Sequence, residues 1–544
     1  MNNLPHLGTL IGSVLSADVF ARYLRLRGEE VLFVSGSDEH GTPIEIEAIK
    51  RRVHPKTLTD EVHSLVTDLF KRFSISFDNY TRTHNDIHIN FCRELFLRIY
   101  EKGFIYARDV DQLFCETCKR FLPDRFVIGT CPKCGYPSAR GDQCENCGIV
   151  LEPLELVDYR CSICGSIPVI KKTKHWYFDL PRFSEKLRTM ILNNDRLPEN
   201  AKNFSLSWIN EGLRPRAVTR DNQWGIPAPF PGAEGKTIYV WFEAVIGYVT
   251  ATIEWSLMRG NQELWKKYWL DPETKSVYFI GKDNIPFHTI ILPALLMAYD
   301  ERFVLPWNVS STEYLMFEGQ KFSKSRGVGI WLDQALSYFP ADYWRYYLIK
   351  IRPEKSDTNF SWDDFQKTIN NDLNDNIGNF VHRVLTFIYN HYGGEIPKPH
   401  AFDESDNDLL SHIKATPIES GRYLDELKMR QALEVITELS SQGNVYLTRK
   451  EPWHSIKKEP EKAETTLYVA SQVVKSLSIL LEPFIPESAA KIRDMLDLKI
   501  QERDAWFSAG ETPLRPGHKI NRPKPLFEKI PDSKIAELKN KTKG

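Results

Sequence analysis

Pro5-His6-Leu7-Gly8-Thr9-Leu10-Ile11-Gly12-Ser13-Val14-Leu15, continued to Val31-Leu32-Phe33-Val34-Ser35-Gly36-Ser37-Asp38-Glu39-His40-Gly41, is the stretch that decides the fold. Within it Leu7, Ile11, Leu15, Val19 and Tyr23 recur every four positions, the pattern of an amphipathic helix ending near Gly28. Val31 to Val34 then read as a short buried strand, with the polar run Ser35 to Gly41 at its carboxyl end. Helix, strand and polar loop in that order point to a doubly wound α/β fold with a parallel sheet. The sheet pattern resumes at Thr237-Ile238-Tyr239-Val240-Trp241 and at Val277-Tyr278-Phe279-Ile280-Gly281. Nothing strand-like precedes the first helix.

A chain of 544 residues exceeds a single core, so three to five structural units are expected. An apolar fraction of 42% and a charged fraction of 26% are those of an ordinary folded protein. The net charge of -1 excludes a basic field over the whole molecule, so any RNA contact must come from local patches. No uninterrupted apolar run reaches the ~18 residues of a membrane helix. The opening MNNLPHLGTLIGSV lacks the basic and small-residue flanks of a signal peptide. The expected compartment is the cytosol. From about residue 365 helical periodicity prevails, most clearly over Asn370 to Tyr392, Leu424 to Leu447 and Thr466 to Leu481. The proline- and lysine-rich tail after Arg515 is expected to pack back as extended chain.

Eight of the nine cysteines form C-x-x-C pairs: Cys115/Cys118, Cys131/Cys134, Cys144/Cys147 and Cys161/Cys164. Each pair sets two thiolates on one tight turn, and two turns supply the four tetrahedral ligands of a structural Zn²⁺. The short central spacing suggests that the inner pairs share one ion and the outer pairs another, giving one or two closed sites. Pairing each knuckle with its sequence neighbour is the alternative. Cys92, alone on an apolar helical stretch, reads as a small buried hydrophobe.

Two separated elements fit phosphate chemistry. His6, Gly8 and Thr9 open the first helix, whose free N–H groups and dipole favour an anion. Lys321-Phe322-Ser323-Lys324-Ser325, flanked by Gly319, Gly327 and Gly329, is a hinged loop with two lysines that can close over a triphosphate. Either element alone would more commonly be a polar cap or a solvated basic loop.

Together they resemble the HIGH-type and KMSKS-type signatures of class I aminoacyl-tRNA synthetases. Ser37-Asp38-Glu39-His40-Gly41-Thr42-Pro43, Tyr239-Val240-Trp241-Phe242-Glu243-Ala244 and Phe279-Ile280-Gly281-Lys282-Asp283, with the knuckle insertion, resemble the methionyl-tRNA synthetase family in particular. The resemblance runs from end to end. It implies a Rossmann-type catalytic domain with a zinc-knuckle insertion and a C-terminal α-helical anticodon-binding domain. It also implies ATP-dependent activation of methionine to methionyl-adenylate and transfer to the 3′ end of tRNA(Met), with Mg²⁺ accompanying ATP. By that similarity His6, Thr9, Lys321 and Lys324 are catalytic, Thr9 standing where the signature has a second histidine. Gly8, Asp283 and Lys324 bind ATP, and Arg220 is similar to a family arginine near the active site. Asp38 receives the methionine ammonium, while Trp241, Ala244, Tyr248, Phe287 and His288 surround the thioether. Val245 stands where some relatives have proline. Asn379, Arg383 and Trp453 match positions that read the anticodon. Asn379 and Arg383, four apart, are expected on one helix face, and tryptophan is suited to stacking an unpaired base.

The implied division is 1–107 and 223–310 for the two halves of the catalytic domain, 108–222 for the insertion and 311–365 for the lysine loop and stem-contact region. Residues 366–510 form the anticodon domain and 511–544 the tail. The chain is expected to act as a monomer, without a membrane. Relatives carry a strand immediately before the first signature, so the expectation is a longer natural chain in which Met1 replaces an internal residue. Competing readings are a class I synthetase for another amino acid, such as leucine, isoleucine, valine or cysteine, and a zinc-ribbon RNA-binding protein without catalysis.

Overall fold

The computed structural model describes residues 4–141, 144, 146–147, 149, 151–323, 327–499 and 505–542. Its first helix, Leu7–Leu26, forms because five residues at four-residue spacing, Leu7, Ile11, Leu15, Val19 and Tyr23, are all fully buried. The helix is not uniform: one π turn covers Leu10–Val14, where Ser16 Oγ donates to the carbonyl of Ile11 at 2.6 Å. By length and composition it could cross a membrane, but 67% of the relevant window is inside the protein, where it serves as a core helix.

The strand after it covers Val34–Ser37, three residues later than the hydrophobic run suggested, and pairs in parallel with Asn79–Arg82. Ladder bonds start only where the partner strand runs alongside, which local hydrophobicity cannot specify. Val277–Gly281 pairs in parallel with Asn308–Thr312, as expected of the second half of the sheet. Among the described residues the two parallel pairs do not hydrogen-bond to each other or to a further strand. A cavity of about 1380 Å³ runs between them, touching Val31 to Gly36 on one side and Lys275 to Gly281 on the other. That exceeds the ~300–1,000 Å³ usual for a ligand pocket.

The expected strand over Thr237–Trp241 ends at Ile238, and Val240–Glu243 is helical. Helical geometry keeps residues 241, 244 and 248 near one face, whereas a strand would alternate them.

The insertion is carried on a long antiparallel ribbon, Ile105–Cys115 against Val169–Phe178. Its knuckles have a small core of their own, with Leu113, Leu122, Phe126, Val127 and Ala139 packed around the cysteines.

Beyond the strand Thr358–Phe360 the chain is mainly helical, but its boundaries differ from the periodicity. The window Leu424–Leu447 spans a break: one helix ends at Asp425, another starts at Met429, and Leu427 turns through φ +58°. Leu424 and Leu433 both reach the core, so apolar spacing alone carries no mark of the reversal. Glu404–Asp425 and Pro460–Leu480 complete the bundle. The tail is extended only to about residue 531, with Ile520, Phe527 and Ile530 buried, and then forms the helix Asp532–Thr542. Its packing partner is the segment Trp362–Gly378: Gln366 Nε2 donates to the Ile530 carbonyl at 3.0 Å, and Trp362 Nε1 to Thr542 Oγ1 at 3.0 Å.

Candidate active site and accessory sites

His6 sits in extended backbone and caps the first helix, its Nδ1 accepting from the Thr9 N–H at 3.3 Å. Burial pulls its pKa down to about 4, so the ring is neutral at physiological pH. With Nδ1 accepting, the proton lies on Nε2, which is left to donate. Gly8 permits this fold-back, because a Cβ there would stand 2.9 Å from His6 Cε1.

The lysine-bearing segment is fastened to this helix tip. Leu7 N–H donates to the Ile330 carbonyl at 3.1 Å, and Leu332 N–H to that of Pro5 at 3.1 Å. The rings of His6 and Phe322 stack with centroids 4.4 Å apart. Lys321 lies on the strand Gln320–Lys321, and Ser323 and Val328 exchange two 2.9 Å main-chain bonds at the base of the loop. Gly329, at φ +131°, is forced: a Cβ there would collide with the Phe322 ring. Lys324 and Ser325 lie outside the described residues.

One cavity is shared by His6, Gly8, Thr9, Asp38, Trp241, Ala244, Val245, Tyr248, Asp283, His288 and Lys321. Asp38 stands at the carboxyl end of its strand, where burial, reinforced by the nearby Glu243 charge, raises its carboxyl to about 6. Asp283 lies in a tight turn just past Gly281, its Oδ1 accepting from the Tyr314 hydroxyl at 2.6 Å. Lys282 beside it pairs with Glu313 at 2.6 Å.

The apolar wall is built from two segments. Trp241 stacks on Phe287 with centroids 4.6 Å apart. Phe287 does not itself line the cavity; it backs the tryptophan. His288, in a π turn over Phe287–Ile291, bonds through Nδ1 to the Asn284 carbonyl at 2.9 Å and through Nε2 to the Tyr248 hydroxyl at 2.8 Å. Burial lowers its pKa to about 4. The neutral ring thus donates from Nδ1 and accepts at Nε2, so this wall carries no charge. Arg220 is not among the lining residues: its guanidinium lies 3.7 Å from the centre of the Tyr239 ring and donates to the carbonyls of Ala217 and Thr219.

Behind the wall is a cluster that sequence reasoning missed. Glu243 is fully buried, with Oε1 2.8 Å from His40 Nδ1 and Oε2 2.7 Å from His88 Nε2. His40 Nε2 meets His84 Nδ1 at 3.0 Å. Cys92 is buried as expected, its sulfur 3.5 Å from His88 Nε2. Its members come from three stretches remote in the chain, around 40, 84–92 and 243, and cannot be grouped by spacing; only the close succession of His84, His88 and Cys92 hinted at it.

The cysteines form two clusters, Cys131/Cys134/Cys144/Cys147 and Cys115/Cys118/Cys161/Cys164, with all four sulfurs of each within 4.8 Å. The inner pairs therefore share one site and the outer pairs the other. Sulfur–sulfur distances of 3.6 and 3.8 Å in the first and 3.5 and 3.9 Å in the second suit a tetrahedral ion. A Zn–S length of about 2.3 Å implies an edge of about 3.8 Å. A disulfide would need about 2.05 Å. Both clusters could bind zinc. Gly135 and Gly165 take left-handed φ values of +71° and +73° after their knuckles, and Lys119 accepts the same conformation at +52°.

A second cavity, of about 270 Å³, lies in the helical region and is lined by His382, Arg383, Phe387, Asn390, Pro452 and Trp453 among others. The Arg383 guanidinium stands 5.1 Å from the centre of the Trp453 ring. Asn379 does not line it; one turn earlier, it contacts Asp375 at 3.4 Å.

The family model described as tRNA synthetases class I (M) matches residues 1–385, and that of the anticodon binding domain of methionyl tRNA ligase matches 396–544. The chain belongs to the methionyl-tRNA synthetases of class I. It is an aminoacyl-tRNA synthetase that activates methionine with ATP and transfers it to tRNA, with an α/β catalytic part and a helical anticodon-binding part. Among its relatives, the Methionine--tRNA ligase of Thermofilum pendens is 52% identical over 98% of this chain and 94% of that protein. That of Korarchaeum cryptofilum is 52% identical over 99% and 96%. The Mycobacterium tuberculosis methionyl-tRNA synthetase in complex with methionyl-adenylate superposes with a TM-score of 0.80 at 27% identity, covering 97% of each chain.

Proposed function

We propose that the large cavity is where adenylation takes place, and that its lining residues divide the reaction between them. The observation that carries this reading is the shared cavity itself: the helix tip at His6, the Asp38 strand end, the Trp241–Tyr248 wall and Lys321 all face one space. Asp38 accepts the methionine ammonium. Trp241, Ala244, Tyr248 and His288, with Phe287 behind, take the thioether, a polarisable sulfur suited to aromatic faces. Asp283 holds the ATP ribose, and Gly8 lets the nucleotide approach the backbone.

A methionine carboxylate oxygen attacks the α-phosphorus of ATP, forming methionyl-adenylate as the bond to pyrophosphate breaks. Negative charge then grows on the phosphate oxygens. His6 Nε2–H, the Thr9 hydroxyl, Lys321 and Lys324 are the donors that stabilise it. In the second step a ribose hydroxyl at the tRNA 3′ end attacks the methionyl carbonyl and AMP leaves. Mg²⁺ bound with ATP would neutralise further phosphate charge. Each cysteine cluster holds one closed, structural Zn²⁺, with no open position for a substrate. Arg383 and Trp453, with Asn379 one turn before Arg383, read the anticodon of tRNA(Met). Residues 1–107 and 223–310 supply the catalytic domain, 108–222 the knuckle insertion, 311–365 the lysine loop and its support, 366–510 the anticodon domain and 511–544 the returning tail. The chain works as a monomer in the cytoplasm.

Methionine-dependent exchange of pyrophosphate into ATP tests this directly. The expected result is exchange with methionine and none with leucine, isoleucine, valine or cysteine. tRNA binding without any exchange would sink the reading.

A further inference from the structure

Glu243 has no part in the reaction described above, yet it lies between Trp241 and Ala244 in the chain and shows no exposed surface. Burying a carboxylate is costly unless its oxygens are fully bonded. Here both are, and the two donors come from different segments: His40 at 2.8 Å and His88 at 2.7 Å. Burial alone would raise this carboxyl, but the two imidazoles more than offset it and hold it at about 2.

The partners are what make the arrangement informative. His40 follows Asp38 by two residues, and its N–H donates to Asp38 Oδ1 at 3.3 Å. His84, bonded to His40, packs on Trp224 with ring centroids 4.3 Å apart, and Trp224 Nε1 donates to the Glu39 carbonyl at 2.6 Å. His88 meets Thr250 Oγ1 at 2.8 Å, on the helix Gly247–Met258 that also carries Tyr248. One carboxylate therefore ties the Asp38 loop to the two segments that present Trp241 and Tyr248.

We propose that Glu243 is a positioning residue for the amino-acid substrate, fixing the distance between the Asp38 carboxylate and the Trp241–Tyr248 wall. An amino acid must place its ammonium and its side chain in two subsites at once, so that distance decides which amino acid fits both. The inference rests on the assignment of methionine to this cavity. A carboxylate that merely satisfied the core would, when changed, lower the folded fraction and with it the apparent kcat, leaving both KM values unchanged. A positioning residue changes the binding of one substrate.

The test uses the full chain and the exchange reaction, reading KM for methionine, KM for ATP, kcat and thermal unfolding. Glu243→Gln keeps the volume but presents an amide N–H₂ to one of the two imidazoles, so one bond is lost. The expected outcome is a methionine KM raised about tenfold, with kcat and the KM for ATP within about threefold. His88→Phe removes one partner from the far side of the network and is expected to raise methionine KM less, in the same direction. An unchanged methionine KM in both variants would overturn the proposal. So would KM values for methionine and ATP that rise by the same factor in both. No exchange in the unsubstituted protein would instead overturn the assignment of the cavity.

Discussion

Asp38 carries a prediction with a definite sign. Burial raises its carboxyl to about 6, so the ionised form needed to hold an ammonium is complete only above about pH 7 and is lost as pH falls through 6. The methionine ammonium stays protonated throughout that range. Methionine KM in the exchange reaction should therefore be flat from pH 8 to 7 and climb as pH is lowered to 5. A KM independent of pH over the whole interval would remove Asp38 from the ammonium site. Gly329 gives a second residue-scale test, since its φ of +131° and the adjacent Phe322 ring both exclude a side chain. Gly329→Ala forces a strained backbone costing ~1–3 kcal/mol or displaces Phe322 from His6. Exchange should drop at least about tenfold while the melting temperature moves little. Unaltered exchange would show that the stack on His6 is dispensable.

The elements explain why the accessory sites can be tested apart from the cavity. The knuckles hang on the ribbon Ile105–Cys115/Val169–Phe178 and pack on their own small core. Elemental analysis should find two zinc ions per chain, and Cys134→Ser should lower the content to about one, since three thiolates hold zinc weakly. A content of two in the variant would mean that the four sulfurs are not a ligand set. The helix Asn379–His391 and the short helix Pro452–Lys458 meet around Trp453. Stacking one base on an aromatic ring is worth ~1–3 kcal/mol. Trp453→Ala should leave exchange unchanged and raise the tRNA KM in aminoacylation by about 10–100-fold. An unaltered tRNA KM would exclude Trp453 from anticodon reading. Among the described residues each of the three π-helical stretches lies beside a proposed site residue: after Thr9, around His288 and before Asn379. Widened turns shift side chains relative to a regular helix, which suits places where a particular direction matters.

Across the whole molecule a buried ion pair joins the first helix to the C-terminal half. Arg345 and Asp18 show no exposed surface and meet at 2.7 Å. The same guanidinium donates to the carbonyls of Phe73, Pro483 and Phe484, and Arg22 links Asp18 to Glu482. Burial would raise the Asp18 carboxyl, but Arg345 and Arg22 outweigh it and hold it below the usual carboxylate range. Its contribution to stability is therefore complete above the ordinary aspartate value and is lost as pH falls through the lower folded value. Arg345→Met, which strands Asp18 and removes the carbonyl bonds, should cost ~3–5 kcal/mol. Thermal or urea unfolding would measure it. A loss below about 1 kcal/mol would mean that water or rearrangement compensates.

What the sequence by itself determined was whatever depends on local spacing and residue chemistry. The period of four from Leu7 to Tyr23 specified a buried helix, the four C-x-x-C pairs supplied the eight thiols that gather into two clusters, and His6 with the Lys321 segment set the expectation of phosphate chemistry at a helix tip. Tertiary structure decided everything that needs two distant segments to meet. The ladder start at Val34, the helical turn at Val240–Glu243, the retreat of Phe287 behind Trp241 and the reversal at Leu427 all answer to neighbours that are remote in the chain. The Glu243 network is the extreme case. A buried carboxylate holds its place only because His40 and His88, 203 and 155 positions away, bring it the donors that water would otherwise supply.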